Sequence, residues 1–234
     1  MEIKLIVKRI LSASLILTSI LAAASSYSAQ AKDDSSLKES SLCNRYFSIY
    51  ENKHHMPSNM LRAISVTESG KWINPIAKSI AWPWTINVGG KGYHYDSKIE
   101  AIQAVKKLMK KGRSSIDVGC MQINLKYHPE AFNNLEQAFE PKYNIEYAAE
   151  FLAKKYKQKR SWEAAIRHYH NANPIYSNKY IARVYKTWRI EDQAVNVALL
   201  DTPAMNITVR QRPDLNQSND VSEITKSVLG YFVR

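Results

Sequence analysis

Three short stretches of the chain carry residue types that could do chemistry together. "TESG", at 67–70, places a single carboxyl, Glu68, just before a helix stop, Ser69-Gly70. "DVGCMQIN", at 117–124, joins Asp117 to the amides of Gln122 and Asn124. "RHYHNANP", at 167–174, supplies Tyr169 and His170. A carboxyl taken out of water disfavours its charged form, so its pKa rises. A carboxyl that keeps its proton near neutral pH can act as a general acid.

The element that must position Glu68 is a helix over Pro57–Thr67, "PSNMLRAISVT". Pro57 suits a first helical turn and Gly70 a C-terminal cap. Met60 and Ile64 lie four apart and share a face, and Glu68 is the next step of that row. If that face is buried, Glu68 is carried inward with it. The alternative is a solvated residue at a frayed helix end, and this stretch alone leaves both open.

The other elements are mostly helical. A helix from Leu42 carries Cys43, Tyr46, Phe47 and Tyr50 at spacings of three and four. Ser97 and Glu100 form a capping box for a helix closed by Gly112, with Ile99, Ile102, Val105 and Met109 as its apolar stripe. Further stripes are Ile145/Ala148/Ala149/Leu152, then Trp162/Ala165/Ile166/Tyr169 with Ser161 as N-cap, then Ile181/Val184/Tyr185/Trp188. Between the first two chemical stretches, Trp82, Trp84, Ile86 and Val88 alternate, Gly89–Gly92 turn, and Tyr93 and Tyr95 alternate on the return. This pattern predicts an aromatic-rich β-hairpin. Two readings of it stand: a wall for stacking on a ligand, or a small satellite core.

The chain has 234 residues, enough for one good-sized core with tails. Lys4, Lys8 and Arg9 precede the apolar run "ILSASLILTSILAAA", and Ala29-Gln30-Ala31 fits a small-x-small cleavage site. The run is short for a membrane span. The expectation is a signal peptide over 1–31, cleaved to leave an exported chain with no stable membrane insertion. A solvated linker over 32–41 and a domain over 42–190 follow. Residues 191–234 read as a tail, partly disordered, with a weak helix in "DVSEITKSVLGYF". In an oxidising compartment the two cysteines, Cys43 and Cys120, are expected to pair. Such a bridge is worth about 4 kcal/mol in the chain-entropy model.

The formal net charge is +12, and residues 32–190 hold 26 Lys/Arg against 14 Asp/Glu. Such a surface favours anionic polymers. Export argues against nucleic acid as the partner. No zinc-ligand spacing, phosphate-binding glycine loop or nucleic-acid motif is present, so neither cofactor nor metal is expected.

Taken together and in this order, the three chemical stretches resemble those of the lysozyme-like lytic transglycosylases, most closely the specialised members that accompany conjugation and secretion machines. The resemblance covers about residues 42–189. It implies a mainly α (α+β) fold, a lysozyme-like helical domain with a small β-hairpin insertion. It implies a lyase acting on peptidoglycan glycan strands in the periplasm or at the cell wall. The family's catalytic Glu of "ESG" is Glu68, with Ser69 beside it. The family's G-x-M-Q-I-N run, which lines the glycan groove, is Gly119, Met121, Gln122, Ile123 and Asn124. Its late Tyr-Asn pair stands here as Tyr169-His170, with His in place of Asn. The implied substrate-binding set is Ser69, Asp117, Gln122, Asn124, Tyr169 and His170. Asp117 also matches the Asp that precedes this run in animal-type lysozymes, so a hydrolase using Glu68 and Asp117 is the second reading. The third is an inactive peptidoglycan-binding scaffold of a secretion apparatus, which would have no use for a desolvated acid.

Overall fold

A computed structural model describes residues 38–200, apart from residues 40 and 172 and the side chains of Pro75 and 194–200. The expected signal peptide, most of the linker and the weak helix near the C-terminus lie outside the described residues.

The first helix, α1 (41–53), buries Cys43, Phe47 and Tyr50, one inward face at helical spacing. Residues 38–39 are helical, and the Glu39 carboxylate accepts a 2.7 Å hydrogen bond from Trp84 Nε1. Helix α2 (Met60–Ser69) starts three residues after Pro57; its N-cap, Asn59, lies in left-handed backbone, and no side chain of its own caps it. The buried Glu51 of α1 takes that role: its two carboxylate oxygens accept from Leu61 N–H at 2.8 Å and Asn59 N–H at 3.1 Å. A carboxylate there satisfies two orphan donors and meets the positive end of the helix dipole.

Gly70 does not close α2 with a left-handed cap; its φ is −57°. It carries the chain straight into strand β1 (Gly70–Ile73), and close approach is why it must be glycine. A Cβ there would lie 2.3 Å from the Val66 carbonyl oxygen and 2.6 Å from Ser79 Oγ. Strand β1 pairs with β2 (Lys78–Ala81) in a hairpin that the sequence pattern does not announce. A half-buried Lys71 beside an exposed Trp72 breaks the polar–apolar alternation a strand normally shows.

The predicted hairpin is present but shorter: β3 (Thr85–Val88) and β4 (Lys91–His94) flank Gly89 and Gly90, both at positive φ, as a two-residue turn requires. Trp82 and Trp84 lie before β3 and are buried, not exposed. The satellite-core reading therefore holds for them. With Ile86 they pack against Ala101, Ile102 and Val105 of α3 (Lys98–Lys110). The α3 stripe is rotated from expectation, leaving Ile99 and Met109 exposed. Its Ser97 cap is in place, with Oγ accepting from Glu100 N–H at 3.2 Å.

Strands β5 (Asp117–Val118) and β6 (Ile123–Asn124) complete an antiparallel sheet of order β4-β3-β5-β6. After the short α4 (Leu135–Ala138), helices α5 (Pro141–Lys159), α6 (Trp162–His170) and α7 (Pro174–Leu200) pack in sequence, and α7 returns against α2. The Ile145/Ala148/Ala149/Leu152 row and Tyr180, Ile181, Val184 and Trp188 form a helical core with Met60 and Ile64. Helix α7 continues through residue 190. Glu191 is buried and accepts from Lys78 Nζ at 3.0 Å, and Asp192 accepts from Asn59 Nδ2 at 3.0 Å. These contacts hold α7 where its apolar periodicity fades. The fold is the mainly α class with a small antiparallel sheet.

Two cores result, one among the helices and one under the sheet. The chain crosses between them from Val118 to Cys120, and the Cys43–Cys120 disulfide fixes the far side of that crossing to α1. Among the described residues no helix is long and apolar enough to cross a membrane.

Candidate active site

The row that begins with Met60 and Ile64, both fully buried, does carry Glu68 inward. Glu68 is half-buried as a whole residue, but its carboxyl is enclosed, and its pKa is pushed up to about 7. Loss of water is the main cause, and the charge of Asp117 adds to it. The Tyr180 hydroxyl and the Arg183 charge act the other way. Glu68 is thus an acid poised near neutral pH, with burial and three named groups setting its proton affinity.

Asp117, on β5, is half-buried, and burial raises its pKa too. It is held by Asn124 of the paired strand, whose Nδ2 donates to Asp117 Oδ1 at 2.7 Å. The same Nδ2 donates to Ser115 Oγ at 3.1 Å, and Asn124 Oδ1 accepts from Lys126 and Tyr127 N–H. The Asn124 side chain is therefore committed within the protein, as the support of Asp117 and the cap of the next turn.

Gln122 sits at a φ of +50°, in left-handed backbone. Its two amide hydrogens go to the carbonyls of Gly119 at 3.0 Å and Thr85 at 3.1 Å, so only its side-chain oxygen is left to meet a ligand. The turn that presents it rests on Asn144, fully buried in α5. Asn144 Oδ1 accepts from Met121 N–H at 2.8 Å, and Nδ2 donates to the carbonyls of Val118 and Ala138. Gly119 lets this amide approach: its φ is +82°, and a Cβ would lie 2.4 Å from Asn144 Nδ2.

Tyr169 donates to the Met121 carbonyl at 2.6 Å, bracing the same turn from α6. Its own ionisation is pushed far up by burial and by the charges of Glu68 and Asp117, so it remains a donor. His170 stacks flat on Tyr180, centroids 4.3 Å apart at 9°. The Ser69 hydroxyl is turned inward, donating within 3.0 Å of the carbonyls of Ser65 and Cys120. Ser69 thus ties the end of α2 to the Gly119–Asn124 run.

The structure brings together Glu68, Asp117 and Tyr169 from three separate stretches. Tyr180, Arg183, Asn144 and Glu51 were not found by reading the sequence. Tyr180 adjoins the Ile181/Val184/Trp188 stripe that the periodicity does show, and its polar tip inside an apolar row is the one signal that could have marked it.

Comparison with known proteins gives one result that bears on this arrangement. A family model described as "Transglycosylase SLT domain" matches residues 45–191, which span every residue of the site. No curated protein and no solved structure matches the chain.

Proposed function

Because the chain belongs to the transglycosylase SLT domain family, whose members cleave peptidoglycan, we propose that it is a lytic transglycosylase. It breaks the β-1,4 bond between N-acetylmuramic acid and N-acetylglucosamine and leaves a 1,6-anhydromuramyl end. The observation that carries this reading is the enclosed Glu68 carboxyl, held at a pKa of about 7 within the family's domain. Glu68 donates its proton to the leaving glycosidic oxygen as the C1–O bond breaks. Positive charge develops at C1, and ionised Asp117 stabilises it through space. The newly formed Glu68 carboxylate is favoured by the Tyr180 hydroxyl and Arg183. The muramyl C6 hydroxyl then attacks C1 and returns its proton to Glu68. The acid is regenerated, and no water is consumed.

A second reading, hydrolysis, is favoured by the placement of Asp117 close enough to raise the Glu68 pKa. A water then attacks C1 in place of the C6 hydroxyl. Mass spectrometry of products released from purified sacculi separates the two. Transglycosylation leaves muramyl ends lighter by one water than hydrolysis does. Products carrying only reducing muramyl ends would overturn the first reading.

The same proposal includes a leader cleaved after Ala31 and work outside the cytoplasmic membrane, where peptidoglycan lies. The role is local wall opening beside a secretion or conjugation machine. N-terminal sequencing of exported protein should find Lys32 first. A retained Met1 in the membrane fraction would mean an anchor.

A further inference from the structure

The register of the four-stranded sheet aligns three polar side chains in one row. Asn87 of β3 lies opposite Asp117 of β5, and Asp117 lies opposite Asn124 of β6. Directly opposed residues point to the same face of a sheet. One residue along, Ile86, Val118 and Ile123 form the parallel row and are buried in the core. The Asn87–Asp117–Asn124 row therefore lies on the opposite face of the sheet from that core.

The three members differ in what they have left to offer. Asn124 is committed to Asp117, Ser115 and the following turn. Asp117 is engaged by Asn124 through Oδ1. Asn87 is half-buried, and its partner across β4 is Gly92. A Cβ at Gly92 would meet no heavy atom within 4 Å, so that flank of Asn87 is open space. Thr85, on the same face of β3, is buried, and its hydroxyl serves the Trp82 carbonyl at 2.8 Å. Asn87 is thus the polar group of β3 that reaches the open end of the row.

We propose that Asn87 is a further glycan-binding residue, which pairs with the acetamido group of the sugar lying over Asp117. A carboxamide offers one acceptor oxygen and two N–H donors, the complement of an acetamido N–H and C=O. Pairing at Asn87 sets that sugar along the sheet with its ring beside Asp117. This inference rests on the reading of Glu68 as the acid of a glycan-cleaving enzyme. Asn87 comes from the hairpin segment between the two acidic stretches, so the hairpin supplies part of the binding surface.

The test measures binding by calorimetry in full-length Glu68→Gln protein, which retains the site without turnover. The probe is a tetramer of β-1,4-linked N-acetylglucosamine, with the de-N-acetylated tetramer as control. Adding Asn87→Ala should weaken binding of the acetylated probe by about threefold to tenfold, the range of one neutral hydrogen bond. It should leave the de-N-acetylated probe unchanged. Gly92→Val fills the open flank without altering Asn87 and should weaken the acetylated probe as well. A valine suits a strand, so this variant should keep its melting temperature even if Asn87→Ala does not. In active protein, Asn87→Ala should raise KM and leave kcat within about twofold. Unchanged affinity for the acetylated probe in both variants would overturn the role of Asn87 while leaving Glu68 untouched. Absence of any glycan binding by the Glu68→Gln protein would sink the underlying reading as well.

Discussion

The Tyr180 hydroxyl is buried against the Glu68 carboxyl and closes no hydrogen bond of normal geometry with any described residue. Its ionisation is pushed far above the ordinary range, by burial first and by the Glu68 charge second. It therefore remains an O–H dipole at neutral pH, and it favours the Glu68 anion. Removing it should raise the Glu68 pKa above about 7. The acid form is the active form at the start of the reaction, so activity falls as pH rises through that pKa. In Tyr180→Phe this alkaline limb should move to higher pH. The maximal rate should drop about tenfold, because the anion left after proton donation loses the O–H dipole that favours it. A pH–rate profile on solubilised glycan strands checks both; an unmoved limb would place Tyr180 in a purely structural role.

Glu68→Gln keeps the shape and removes the transferable proton. Glycan cleavage should fall at least about 100-fold, the lower range for general acid–base catalysis. Release of products from purified sacculi measures this, with thermal melts as the folding control. Near-normal cleavage by a well-folded variant would mean that the acid lies elsewhere.

Asp117→Asn separates the two chemistries. Intramolecular attack by the C6 hydroxyl needs no second carboxylate, so the loss should be clearly smaller than for Glu68→Gln. The alkaline limb should also move to lower pH, because the charge that raises the Glu68 pKa is gone. A loss as large as that of Glu68→Gln would favour hydrolysis.

Two buried carboxyls make stability depend on pH. Glu51 and Glu68 each have a folded-state pKa of about 7 against an ordinary value of 4.5. The folded state then binds more protons than the unfolded state between these values. Their contribution is fully present below pH 4.5 and is lost as pH rises through about 7. For Glu51, which is 5% exposed, the loss is on the order of 3 kcal/mol. Urea midpoints should therefore fall from pH 5 to pH 8, and Glu68→Gln should flatten the fall. A rise in stability over that interval would contradict the burial of these groups.

Asn144→Ala removes the side chain that holds Met121 N–H and the Val118 and Ala138 carbonyls. Three buried backbone groups lose their partner, and stability should drop by about 3 kcal/mol or more. Urea denaturation measures it. A loss below about 1 kcal/mol would show that the Gly119–Asn124 turn holds its shape without Asn144.

Much of this molecule was legible in the sequence because helical burial is periodic. The spacing of Met60, Ile64 and Glu68 puts the acid on one helical row, and burial at the first two positions, which the structure supplies, carries the third inward with them. The stripes of α5, α6 and α7, the Ser97 and Ser161 caps, the two-glycine turn and the Cys43–Cys120 pair are likewise local or countable signals. Tertiary structure alone decided the rest. Tyr180 meets Glu68 only because α7 returns against α2 across more than a hundred residues of chain. Glu51 caps a helix that begins after it, through a turn that no motif marks. Asn87 stands beside Asp117 through a strand register. Such contacts depend on long-range packing and pairing geometry, which leave no period in the residues that make them.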